Sequence, residues 1–157
     1  MRFGIDAWRI AIAIAVRCNL GSEAPLQTGG SLNMARILVV EDENLLAMEI
    51  SWMLEDAGYS VVGPERTVET TQKVLSRHKV DLALLDVNLG SELVFPVSRI
   101  LNMIGTPFIF VTGRSISAIP TEYRHRPLIT KPCRPNALIT LIKQVLGEHR
   151  DVEMEPA

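Results

Sequence analysis

From residue 34 onward, short apolar runs alternate with stretches whose apolar positions recur every three or four residues. RILVV (36–40) is continuous and apolar, the pattern of a strand covered on both faces in a parallel sheet. Leu46, Ile50, Leu54 and Ala57 recur at steps of four, four and three. They form one helix stripe, closed by Gly58. SVVG (60–63) predicts a weaker strand, and Val68, Thr71 and Leu75 give a thin helical stripe over 67–78. DLALLDV (81–87) is the second strong strand. Leu93, Val97, Ile100, Leu101 and Ile104 make the clearest helix stripe in the chain, ended by Gly105. FIFV (108–111) is a strand introduced by Pro107. The rhythm then falters over GRSISAIPTEYRHRP (113–127), where Pro120 forbids a long helix. PLIT (127–130) is a short fifth strand. Pro135 suits the first turn of a last helix with the stripe Leu138, Leu141, Ile142 and Val145, and Gly147 stands near its end.

Five strands alternating with helices imply βαβ units, hence a parallel sheet with helices on both faces. Right-handed crossovers leave few ways to wind it. The 157 residues, 47% of them hydrophobic, suffice for one domain with a proper core. A net charge of -2 gives no electrostatic draw toward nucleic acid or an anionic membrane. Cys18 and Cys133 make no CxxC and no disulfide framework, which fits a reducing compartment and predicts a cytoplasmic protein.

Residues 1–33 read differently. IAIAIAV (10–16) falls far short of the roughly 20 residues that span a bilayer. It resembles the apolar region of a signal peptide with Arg2 and Arg9 ahead of it, but Asp6 and Arg17-Cys18-Asn19 suit that poorly. GSEAPLQTGGSLN (21–33) has the composition of a linker. The expected organisation is a loosely ordered extension over 1–33, with the true start codon as late as Met34, a globular domain over 34–149 and a tail over 150–157.

In folds of this kind ligands bind beyond the carboxyl ends of the strands. Strand one is followed by Glu41 and Asp42, strand three ends at Asp86 with Asn88 two on, strand four ends at Thr112 before Gly113, and strand five ends at Lys131 before Pro132. Singly, an acidic pair ahead of a helix complements its dipole, and an Asp ending a strand serves as a turn or cap. Together, three acids, a hydroxyl and an ammonium collect at one edge of the sheet. Crowded carboxylates repel, and a divalent cation with a preference for oxygen, Mg²⁺ or Mn²⁺, relieves this. With Glu41, Asp42 and Asp86 holding the metal, one Asp86 oxygen remains free to attack a phosphoryl group. Thr112 then hydrogen-bonds one phosphoryl oxygen and Lys131 neutralises another. Asp86 is thus expected to be a phosphate acceptor.

VVEDE (39–43), LLDVNLG (84–90), FVTG (110–113) and ITKP (129–132) resemble the four signature segments of response-regulator receiver domains, in order, from about Ala35 to Gly147. The resemblance implies a flavodoxin-like, doubly wound, five-stranded parallel sheet in order 2-1-3-4-5. It implies phosphorylation by a histidine kinase or histidine phosphotransfer protein, Mg²⁺ as cofactor, and Asn88 lending a backbone carbonyl to the metal. It also implies switching through Thr112, Gly113 and Lys131, a cis bond at Lys131-Pro132, and no enzymatic activity beyond the domain's own phosphotransfer and autodephosphorylation. PFIFVTG is similar to the proteobacterial single-domain regulators with a Phe-Ala-Thr-Gly-x-Tyr signature, whose fourth helix is short or degenerate. Val111 and Ser115 depart from that signature.

Other departures are Leu89-Gly90, where many receivers have Met-Pro, and Cys133, where Phe usually follows Lys-Pro. Leu128 replaces the aromatic residue that usually couples to the threonine, and Tyr123 is the nearest candidate to replace it. Asn88 and Arg114 are expected to tune dephosphorylation. Only ten residues follow Gly147, so the expected output is binding to a downstream protein partner, or phosphate flow as a sink or relay. An inert pseudo-receiver scaffold is the other alternative; the apolar last helix also offers a surface for a homodimer, although core packing explains its stripe equally well. A phosphohydrolase using an aspartyl nucleophile would need an acid at position 88, where Asn88 stands.

Overall fold

The structure, a computed structural model, describes residues 34–113 and 116–147. The extension over 1–33, the tail, Arg114 and Ser115 lie outside the described residues. The chain runs β1 (Arg36–Val40), α1 (Asn44–Asp56), β2 (Ser60–Glu65), α2 (Val68–Leu75), β3 (Leu82–Leu85), β4 (Asn88–Leu89), β5 (Glu92–Leu93), α3 (Phe95–Ile104), β6 (Phe108–Thr112), β7 (Leu128–Thr130) and α4 (Pro135–Leu146). Five strands form one parallel sheet in the order β2-β1-β3-β6-β7, while β4 and β5 pair as a separate antiparallel hairpin. With the hairpin set aside, this is the 2-1-3-4-5 order of the flavodoxin-like fold.

Successive side chains of a strand point to opposite faces, so each apolar run serves two cores. Leu38, Val40, Ala83, Leu85, Phe108 and Phe110 face Leu75, Val97, Ile100 and Leu101 of α2 and α3. Ile37, Val39, Leu82, Leu84, Ile109 and Val111 face Ile50, Leu54, Leu138 and Ile142 of α1 and α4. Each of the larger side chains among them, Val, Leu, Ile or Phe, contributes about 1.5–3 kcal/mol of burial. That double cover is why β1, β3 and β6 read as continuous rather than alternating apolar segments.

The elements differ from the sequence reading at their ends. β2 does not stop at Gly63 but continues through Pro64 to Glu65, with a shift in register against β1 between Leu38 and Val40. It is an edge strand, where a proline costs no inner ladder bond. β3 stops at Leu85, so Asp86 is the first residue beyond it, although its amide still donates to the Val40 carbonyl at 2.9 Å. Lys131 likewise follows β7, and its amide donates to the Thr112 carbonyl at 3.0 Å. Between β6 and β7 the described residues hold no α-helix. Two 3-10 turns, Ile116–Ala118 and Thr121–Tyr123, take its place, pinned to the core by buried Ile119 and Tyr123. The Lys131-Pro132 bond is cis, as is Gly63-Pro64.

Candidate functional site

Register assembles the site. The pairing of Val40 with Leu85 puts the next residues, Glu41 and Asp86, side by side at the carboxyl edge. The pairing of Thr112 with Thr130 brings Lys131 to the same edge. Glu41 is 2% exposed, Asp86 8% and Thr112 1%, so this end of the sheet is a lined recess. Glu41, Asp42 and Asp86 each offer one carboxylate oxygen, and these lie within 4.8 Å of one another. Lys131 Nζ donates to Glu41 Oε2 at 2.6 Å and to Asp86 Oδ2 at 2.8 Å.

Backbone amides hold the remaining positions. Glu43 N donates to Glu41 Oε1 at 3.1 Å, Asn88 N to Asp86 Oδ1 at 3.2 Å, and Gly90 N to Asp42 Oδ2 at 2.9 Å. Burial pushes the Glu41 carboxyl above its ordinary value of 4.5, against the pull of the Lys131 hydrogen bond and the Glu43 amide. Burial alone would lower the Lys131 ammonium, but its hydrogen bonds to Asp86 and Glu41 outweigh that and raise it above its ordinary 10.5. One ammonium faces three acidic side chains. The excess negative charge and the all-oxygen donor set fit a hard divalent cation such as Mg²⁺ or Mn²⁺.

The structure thus brings together Glu41, Asp42, Asp86 and Lys131, with Thr112 buried at the end of β6 and Gly113 directly after it. Asn88 is half-buried in β4, turned so that its amide reaches Asp86. Leu128 is half-buried, and Tyr123 packs on the α3 side of the sheet. The Tyr123 ring stacks on Phe95 with centroids 5.8 Å apart and meets Phe110 edge-on at 6.3 Å. Cys133 is half-buried against the α1 and α4 core, consistent with a filler, and burial pushes its thiol up. The Gly90 amide escaped the sequence reading; its signal was the glycine standing where many receivers carry proline.

A doubly wound parallel sheet with this edge defines a receiver-type α/β domain. The chain matches the response regulator receiver domain over residues 37–143 and belongs to that family. It is 35% identical over 115 residues to the phyllosphere-induced regulator PhyR of Methylorubrum extorquens, covering 70% of this chain and 43% of that protein. It therefore spans less than half the length of that curated relative. The solution structure of SdrG from Sphingomonas melonis Fr1 superposes with a TM-score of 0.65 at 34% identity, covering 72% of this chain and 97% of SdrG. SdrG in its BeF3-activated conformation superposes at 0.63 with 33% identity, covering 73% of this chain and 99% of that one. No described helix is long and apolar enough to cross a membrane.

Proposed function

We propose that Asp86 accepts a phosphoryl group from a histidine kinase or histidine phosphotransfer protein, and that the phosphorylated domain acts by binding a downstream protein. The observation that carries this reading is the Lys131 ammonium bridging Glu41 and Asp86 beside the Asp42 carboxylate. An Asp86 oxygen attacks phosphorus, the bond from phosphorus to the donor's nitrogen breaks, and the electron pair leaves with the imidazole. Lys131 is placed to leave Asp86 for a phosphoryl oxygen, and Thr112 to hydrogen-bond another. Glu41, Asp42, Asp86 and the Asn88 carbonyl would hold Mg²⁺ or Mn²⁺, whose charge lets phosphoryl oxygens approach three carboxylates.

The BeF3-activated conformation of SdrG, a relative matched over 99% of its own length, supports the same reading. Beyond this self-modification and its reversal no turnover is assigned. Movement of Lys131 toward the phosphoryl group draws on β7, whose neighbours, the 116–127 segment and α4, form the surface offered to a partner.

The test is intact-protein mass spectrometry after incubation with Mg²⁺ and acetyl phosphate, comparing the wild type, Asp86→Asn and a chelator control. A labile adduct of one phosphoryl group on the wild type alone, lost with EDTA, is expected. A folded wild type that gains none points instead to a pseudo-receiver scaffold. A pull-down in which a partner appears only with phosphorylated protein separates an adapter from a phosphate sink.

A further inference from the structure

Each acid of the site is held by a backbone amide, but one of the three is unlike the others. Glu41 and Asp86 take theirs from Glu43 and Asn88, two positions on. Asp42 takes its from Gly90, 48 positions away, at 2.9 Å. Among the described residues Asp42 has no salt bridge, so this amide is what fixes the rotation of its half-buried carboxylate.

Gly90 has φ +63 and turns the hairpin that pairs Asn88 with Leu93 and Leu89 with Glu92. Three anchors make the hairpin stiff. Leu89 is buried in the core, Val94 N donates to the Val87 carbonyl at 3.1 Å across the base, and Glu92 reaches to α2. There Glu92 Oε2 accepts the Val68 amide at 3.3 Å, at the first residue of the helix. Free amides and the positive end of the helix dipole favour a carboxylate at that position. One short element therefore touches Asp42 at its turn and the start of α2 two residues later. Many receivers have proline at the position of Gly90, and proline carries no N–H. The bond to Asp42 exists here because this chain departs from that pattern.

We propose that the Gly90 amide positions Asp42 for a divalent cation, and that the 88–93 hairpin couples cation binding at the acidic cluster to the start of α2. The inference rests on the metal assigned under the proposed function. Partners that orient a metal ligand from outside typically change affinity by about 10–100-fold. Coupling is reciprocal, so a cation that steadies Asp42 also steadies the hairpin and its bond to Val68, and loosening Glu92 weakens the cation.

The experiment is a Mg²⁺ titration of the full chain, followed by calorimetry and by backbone amide resonances. Four proteins are compared: wild type, Gly90→Pro, Gly90→Asn and Glu92→Ala. Asn tolerates positive φ and keeps the N–H, whereas Pro removes the N–H and, with φ locked at about −65°, also cannot hold the φ +63 of this turn. We expect Gly90→Pro to bind Mg²⁺ about tenfold or more weakly, Gly90→Asn to stay near the wild type, and Mg²⁺ to move the Val68 amide resonance in the wild type but not in Glu92→Ala. Folded Gly90→Pro that binds Mg²⁺ like the wild type overturns the positioning role. If Gly90→Pro does not fold, the wild-type Val68 resonance decides, and its indifference to saturating Mg²⁺ overturns the coupling. A wild type that binds no Mg²⁺ removes the metal reading itself, and this inference with it.

Discussion

Lys131 Nζ lies 2.8 Å from Asp86 Oδ2, yet the two residues follow strands that do not touch: β7 and β3 are separated by β6. The side chain spans the end of an intervening strand to reach its partner, and the same ammonium also meets Glu41 at 2.6 Å. Three strands are thereby tied at their carboxyl ends by a single cation.

Replacing Lys131 by Met leaves Glu41 and Asp86 buried with no counter-ion. Breaking a fully buried pair costs about 3–5 kcal/mol. The Lys131 side chain is 18% exposed, so about 2 kcal/mol is expected here. Thermal unfolding in EDTA should show a lowered midpoint, and added Mg²⁺ should raise the variant's midpoint more than the wild type's. Equal midpoints in EDTA would mean the ammonium does not offset the acids.

The raised Glu41 value makes stability depend on pH with a definite sign. Between 4.5 and the higher folded-state value, the native protein binds more protons than the unfolded chain. The wild type should therefore lose stability relative to Glu41→Gln as pH rises through that window. Lys131 is raised as well, so its contribution is complete below 10.5 and disappears as pH climbs through the folded-state value. Urea midpoints in EDTA across pH, for wild type, Glu41→Gln and Lys131→Met, read both slopes. Parallel curves for wild type and Glu41→Gln above pH 4.5 would contradict the first.

Gly63 has φ +92, and a Cβ there would stand 2.8 Å from Glu65 N and 3.0 Å from the Val39 carbonyl oxygen. Gly63→Ala should cost about 2–3 kcal/mol from strain at a position reserved for glycine, with backbone on both sides of the new carbon. Because Glu41 N donates to the Glu65 carbonyl at 2.9 Å, the damage should extend to the acidic edge as weaker Mg²⁺ binding. Denaturant unfolding and calorimetry check the two parts separately.

Tyr123 is 4% exposed among Phe95, Phe108 and Phe110. Tyr123→Ala should cost about 3–5 kcal/mol, as for other large aromatic truncations. Tyr123→Phe should stay within about 1.5 kcal/mol, since shape and volume are kept. Chemical denaturation distinguishes them, and a mild effect of Tyr123→Ala would show that the turns at 116–123 are not anchored by this ring.

The five main strands were legible because their apolar runs are long relative to their surroundings, and the convergence of Glu41, Asp42, Asp86 and Lys131 followed from the topology those runs imply. The continuation of β2 past Gly63-Pro64 was hidden because that pair reads as a stop anywhere but at a sheet edge. The 88–93 hairpin was hidden for a different reason. Two residues per strand are too few to display an alternation, and its contact to Asp42 is made by a main-chain N–H that side-chain chemistry does not announce.

The three acids and the lysine of the site all stand one or two residues past the last paired position of a parallel strand. The opposite rim of the sheet, with its connections at 57–59, 76–81 and 105–107, bears none of them. Stiffness and reactivity meet along a single boundary, and the far rim is left as neutral ground. A reporter or spacer inserted between Ser76 and Lys79 would sit a full strand length from the acids, making that connection the natural attachment point for following this molecule without disturbing it.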